Sequence, residues 1–196
     1  MEYIVNSRQI DSIQQMIDAA SANGGGKVIL PPGIYESATI FLKSNIHLYI
    51  ESGAILKGVP GHENYREFRH PGIDMVTPEF SRKCFIGAAD CQNITISGGG
   101  IIDGQSESFF DPSTPAHRSF PKPPWQRPRM LQLYNCKNVV IEGVSFNDSP
   151  NWTMWLIDCE DVRISRIRIT TNPRVPNGDG IDIDSCRRVT VSDSIF

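Results

Sequence analysis

Pro176-Asn177-Gly178-Asp179-Gly180-Ile181-Asp182-Ile183-Asp184 gathers three carboxylates into nine residues near the end of the chain. Turn-forming residues lead into a run in which isoleucine and aspartate alternate, so the segment reads as a turn entering a strand. Ile181 and Ile183 then face a core, and Asp182 and Asp184 face outward. Asp179, flanked by glycines, stands at the edge of that outer face with its backbone open to a bulky ligand. Clustered carboxylates suit glycosidic bond hydrolysis, where one must be protonated to help the leaving group depart while another activates water. Calcium binding uses the same hard oxygen ligands. A solvated turn that simply favours Asp and Asn is the third use, and spacing alone leaves all three open.

Other residues offer less. Trp152 and Trp155 can present flat apolar faces to sugar rings, or pack in the core. Asn23-Gly24-Gly25-Gly26-Lys27 has the look of a phosphate loop, but it follows a helix and enters a strand, the reverse of the required order, and no Ser or Thr follows the lysine. It reads as a helix end and turn. His47, His62, His70 and His117 stand in unrelated contexts, so the sequence calls for no metal and no cofactor. Five cysteines without a CxxC pair indicate neither a disulfide framework nor a zinc knuckle.

The elements that must hold Asp179 are mostly strands. Ile10, Ile13, Met16, Ile17 and Ala20 recur at helical spacing, with Asp11 as a cap and glycines at 24 to 26 as a stop, which predicts one helix over residues 11 to 22. Beyond it come short runs rich in Val, Ile and Thr, broken by Gly, Asn, Asp and Pro. Four of them superimpose: Asn93-Ile-Thr-Ile-Ser, Asn138-Val-Val-Ile-Glu, Asp161-Val-Arg-Ile-Ser and Arg188-Val-Thr-Val-Ser. Cys91, Cys136, Cys159 and Cys186 each stand three positions before the first apolar residue. Their separations of 45, 23 and 27 residues approximate two, one and one copies of a unit of about two dozen residues. Such a unit holds three short strands and three turns, one coil of a right-handed parallel β-helix, and stacking makes the recurrent cysteines a ladder of small buried thiols. The expected fold is therefore all-β: a solenoid of six or seven coils forming a single domain over 1–196, capped by the helix at 11–22. Residues 105 to 128, rich in Pro, Ser and Phe, are expected to form a long loop over one flank. The sequence stops inside an apolar strand-like run, so a C-terminally truncated solenoid is expected, with self-association through its open last coil.

A formal net charge of −3 with no basic run excludes the field that draws in nucleic acid. No secretory leader or membrane-length apolar window is present, which predicts a cytoplasmic protein without a membrane partner, or a secreted one had a leader been removed. The sequons at Asn93, Asn147 and Asn151 matter only in the secreted case.

Several segments, in order, resemble family 28 of the glycoside hydrolases, the polygalacturonases and their relatives. They are Asp11-Ser-Ile-Gln through Ala19-Ala, Gly24-Gly-Gly-Lys-Val-Ile-Leu-Pro-Pro-Gly-Ile-Tyr35, Phe41-Leu-Lys-Ser-Asn-Ile-His-Leu, Ile101-Ile-Asp-Gly104, Arg127-Pro-Arg-Met, Ser149-Pro-Asn-Trp152 and the Asp179 motif. The resemblance implies inverting hydrolysis of an acidic polysaccharide or oligogalacturonide. Asn177-Gly178-Asp179-Gly180 stands in place of the family's Asn-Thr-Asp-Gly, which makes Asp179 the catalytic carboxylate that positions or deprotonates water, with Asn177, Trp152 and Asp182 as substrate-binding residues. Gly178 replaces the family's threonine. The family's later Gly-Asp-Asp, Gly-His-Gly and Arg-x-Lys segments have no match within these residues, so the 196-residue chain by itself is expected to be inactive or nearly so. Asp182 and Asp184, as outward carboxylates, are expected to stay ionised and not to replace the missing acid. A calcium-dependent polysaccharide lyase and a non-catalytic solenoid module are the alternatives.

Overall fold

The computed structural model describes residues 1–72 and 82–196. Its strands are parallel throughout and wind as a right-handed β-helix. β1 (Glu2–Ile4) and α1 (Ser12–Ala22) precede the first full coil, which holds β2 (Gly26–Leu30), β3 (Gly33–Ser37) and β4 (Ile40–Phe41). Then come β5 (Ile46–Ile50), β6 (Ala54–Gly58) and β7 (Cys84–Ala89), followed by β8 (Gln92–Gly98), β9 (Ile101–Asp103) and β10 (Arg129–Tyr134). The last strands are β11 (Lys137–Glu142), β12 (Ser145–Asn147), β13 (Met154–Ile157), β14 (Glu160–Ser165), β15 (Arg168–Thr170), β16 (Ile181–Asp184) and β17 (Arg187–Ser192). They form three sheets: β1-β2-β5-β8-β11-β14-β17, β3-β6-β9-β12-β15 and β4-β7-β10-β13-β16.

Register explains why the alternating runs fold this way. Val28, Leu48, Ile96, Ile141, Ile164 and Val191 pair in one row across the seven-stranded sheet. Tyr35, Leu56, Ile102, Phe146 and Ile169 make a second row, and Ile40, Ile86, Leu131, Met154 and Ile181 a third. These rows meet in one core whose members are mostly fully buried, each such aliphatic side chain contributing about 1.5–3 kcal/mol. Parallel strands with so regular a row cannot slip by one residue without turning every core side chain outward.

The four superimposed segments are β8, β11, β14 and β17 of one sheet, as their common pattern predicts. The thiol ladder also forms: Lys137, Glu160 and Arg187 donate their N–H groups to the carbonyls of Cys91, Cys136 and Cys159 in the preceding coil. Cys136 and Cys159 are buried, while Cys91 and Cys186 are half-buried, and all five cysteines are free thiols. Beside this ladder Asn45, Asn93, Asn138, Asp161 and Arg188 each take a left-handed backbone, φ 53° to 62°. Asn138 donates to Asn93, and Asn93 to Asn45, each at 2.8 Å. Asparagine tolerates that conformation and its amide satisfies its stacked neighbour, which is why a polar residue opens each run.

Three expectations need correction. The 45-residue step from Cys91 to Cys136 is one coil rather than two, because β8 pairs directly with β11. The excess is the loop 104–128, which carries one short 3-10 turn at Ser106–Phe109. The shorter sheets accordingly have five strands each, giving five full coils among the described residues. At the other end, Asp11 occupies the N-cap position without a capping bond, its carboxylate instead accepting from Gln15 Nε2 at 2.6 Å, and Ile10 lies outside the helix, exposed. Helix α1 still covers the first coil with Ile13, Ile17 and Ala20 and leaves through Gly24 and Gly25, both at positive φ. Ile183 shares a row with buried Leu156 yet is 49% exposed, because β16 has only one neighbouring strand in its sheet. No helix among the described residues is long and apolar enough to cross a membrane.

Candidate active site

Five connections lead from the second sheet to the third; residues 38–39 make the short first one, and the later ones include the described residues 59–72 and 82–83, and residues 104–128, 148–153 and 171–180. They enter the strands of the sheet β4-β7-β10-β13-β16. On its outer face Gly87, Gln132, Trp155 and Asp182 form one register row. Asp179 sits three residues before Asp182, exposed, at the mouth of β16, and its carbonyl accepts the Thr153 N–H at 2.8 Å. The sequence thus places Asp179 where its motif predicts, with Asn177 and Asp182 on either side and Trp152 on the adjoining strand entry.

Two arginines that the sequence reading singled out only as part of a resemblance organise this edge. Arg127, 7% exposed, donates from Nη1 to the Pro150 carbonyl and to the Pro176 carbonyl at 2.9 Å, and from Nη2 to Asn177 Oδ1 at 3.3 Å. One guanidinium therefore ties the 148–153 connection to the turn that carries Asp179, while Asn177 takes a left-handed backbone at φ 62°. Burial lowers the pKa of Arg127 to about 10, still far above neutrality, so the clamp remains charged. Arg129 is fully buried, its guanidinium 4.6 Å from the Trp152 ring centroid and 4.4 Å from that of Trp155. The two indoles meet edge to face at 5.6 Å. Trp155 is thus a buried platform under the site rather than a sugar-stacking surface, and Trp152 is half-buried against the same arginine. The signal for both arginines was faint: charged residues beside a proline at the entry of an apolar strand, which composition alone assigns to a surface.

Asp182 is less exposed than its outward direction on the strand predicts. Its burial, and then the negative charge of Asp179, raise its pKa to about 6 against the opposing pull of Arg129. Its Oδ2 is buried and has no hydrogen-bond partner among the described residues. An outward direction on the strand did not mean water on every side: Asp182 stands in register beside buried Trp155, and the buried Arg129 guanidinium is near enough to act on it electrostatically. Two carboxyls in unlike surroundings, one exposed at a turn and one half-buried beside it, are what acid-base chemistry on a sugar requires. Gly178 raises no obstacle: a Cβ there would meet nothing nearer than 3.4 Å, and the backbone is not left-handed, so the threonine of the family's motif would fit. The feature that makes Asp179 prominent is therefore its place at the strand mouth rather than flexibility of the flanking glycines.

Residues 73–196 match the family described as glycosyl hydrolases family 28. A polygalacturonase of Persea americana is 32% identical over 116 residues, covering 59% of this chain and 25% of that protein. An endo-polygalacturonase of Pectobacterium carotovorum subsp. carotovorum is 28% identical over 172 residues, covering 82% and 42% respectively. Among solved structures, an exopolygalacturonase of Thermotoga maritima superposes with a TM-score of 0.78 at 26% identity, over 99% of this chain and 52% of that one. The chain spans less than half the length of these two curated relatives.

Proposed function

The chain belongs to family 28 of the glycosyl hydrolases, and on that premise we propose that it serves the inverting hydrolysis of α-linked galacturonate in pectin or its oligosaccharides. Asp179 is the carboxylate that activates water. Asp182 lies on the same face and meets the substrate as a largely protonated carboxyl below about pH 6, able to donate to a sugar oxygen, and as an anion above it. Asn177, fixed by Arg127, lines the approach, and Trp152 closes it from the neighbouring strand. Inversion needs an acid and a base about 6.5–9.5 Å apart with water between them. In the family pattern set out above, the protonating group comes from the Gly-Asp-Asp segment one coil further on.

The observation that carries this reading is exposed Asp179 close enough to half-buried Asp182 for its charge to act on that carboxyl, with Arg129 acting in opposition, at the strand mouth where the family motif falls. Its test is reducing-end release from polygalacturonate by a polypeptide that includes the Gly-Asp-Asp segment, comparing wild type with Asp179→Asn. A loss of about 10²–10⁴-fold with oligosaccharide binding retained supports the assignment, because that is the range a general base supplies. Undiminished turnover, or unsaturated products absorbing in the ultraviolet that vanish on chelation, would replace it with another residue or with lyase chemistry.

A further inference from the structure

On loop 104–128, Trp125 is 39% exposed. Its indole N–H is already used, donating to the Phe109 carbonyl at 3.1 Å. What remains for a ligand is the ring itself. His62, from the 59–83 connection, stacks nearly parallel to it, with centroids 5.2 Å apart and planes 13° from each other. Two loops therefore build one flat platform. Lys83 reaches the same place, its ammonium donating to the carbonyl of His62, and Gln126 Oε1 accepts the Arg82 N–H at 2.9 Å, fastening the tryptophan's neighbour to the mouth of β7. The Glu63 carboxylate lies 3.3 Å from His62 Nδ1. Prolines at 121, 123, 124 and 128 preset the backbone around Trp125, so little freedom is left to lose when a ligand arrives.

Register fixes where this platform stands. Arg129 donates its N–H to the Lys83 carbonyl, Leu131 to Thr153, and Thr153 to Asp179. Lys83 and Asp179 are therefore three strands apart along one edge of one sheet, about 14 Å at about 4.8 Å per strand. That span corresponds to a few linked sugar rings laid across the strands.

We infer that Trp125, backed by His62 and flanked by Lys83, is a distal subsite for one uronate ring of an acidic oligosaccharide whose other end lies at Asp179. The ring's C–H face stacks on the indole, and its carboxylate meets the Lys83 ammonium. This rests on the substrate class proposed above and adds a second point of attachment, which makes binding depend on chain length.

The experiment titrates the 196-residue chain with galacturonate oligomers from dimer to hexamer, by calorimetry and by tryptophan fluorescence, for wild type, Trp125→Ala and Trp125→Phe. Trp125→Ala should weaken binding of the long oligomers by about three- to tenfold, the range expected of one aromatic stack, and leave the dimer unchanged. Trp125→Phe should retain most of the affinity. Unchanged thermal midpoints confirm that the loop packing is intact. Equal loss for dimer and hexamer, or no loss at all, overturns the subsite while leaving the substrate class standing. Failure of the wild type to bind any oligomer overturns the substrate class as well.

Discussion

Replacing Asp182 by asparagine should make this protein more stable at neutral pH, although it removes a charge that lies beside an arginine. In the folded chain burial and the charge of Asp179 hold the Asp182 pKa at about 6, against an ordinary value of 3.8. Between those two values the folded state carries the proton and the unfolded chain has lost it. Stability therefore falls as pH rises from about 4 to about 6 and levels off on either side. Felt in full, the difference corresponds to about 3 kcal/mol; because the side chain is only half-buried, solvent screening reduces it to about 1–2 kcal/mol. Attraction to Arg129 works in the opposite direction and is already inside that net figure. Asparagine keeps the shape of the neutral acid and cannot ionise. Urea unfolding followed by circular dichroism should find the two proteins nearly equal at pH 4 and Asp182→Asn more stable by about 1–2 kcal/mol at pH 7.5. A variant less stable than wild type at pH 7.5, or a difference that does not change with pH, would show that the Arg129 attraction outweighs burial and would refute the reasoning.

Other consequences concern the frame around the site. Asn138→Ala removes the hydrogen bond that the Asn138 amide donates to Asn93 Oδ1 and places alanine at φ 53°, and should cost about 1–2 kcal/mol in urea unfolding, with Asn138→Gly costing about half as much. Gln132 is fully buried, and neither amide atom has a hydrogen-bond partner among the described residues. Gln132→Met should therefore raise stability by about 1 kcal/mol, and a loss of that size would mean the amide is partnered after all. Gly178→Thr restores the family's residue where there is room for it, and its unfolding free energy should lie within about 0.5 kcal/mol of wild type.

The winding of the chain was legible because one physical demand, an aliphatic residue stacked on its equivalent in the next coil, repeats in four aligned segments. Cysteines marked the phase because a small side chain fits the turn beside the core. What misled was the assumption that every coil has the same length. Strand stacking constrains the strands and leaves the connections free, so loop 104–128 absorbed a second unit's worth of residues without disturbing the register of β8 and β11. Asp179 and its neighbours were found because turn chemistry and a strand meet there within a few residues. The surroundings of Asp182 were not legible, since Arg129 and Trp155 come from strands far away in sequence and no local pattern announces that they converge. Arg127 was missed as a clamp for the same reason: its acceptors are the carbonyls of Pro150 and Pro176 and the side chain of Asn177, brought together only by stacking.

The proposed function puts an acidic saccharide on the outer face of the β4-β7-β10-β13-β16 sheet, at the edge where Asp179 stands. Amide chemical-shift mapping of the 15N-labelled chain on addition of oligogalacturonate tests it without requiring turnover. Shifts should concentrate at residues 152–155 and 177–182, persist in Asp179→Asn and be absent from the face carrying His47, Tyr49 and Ser97. Shifts centred on that seven-stranded sheet, or none at saturating oligosaccharide, would contradict it.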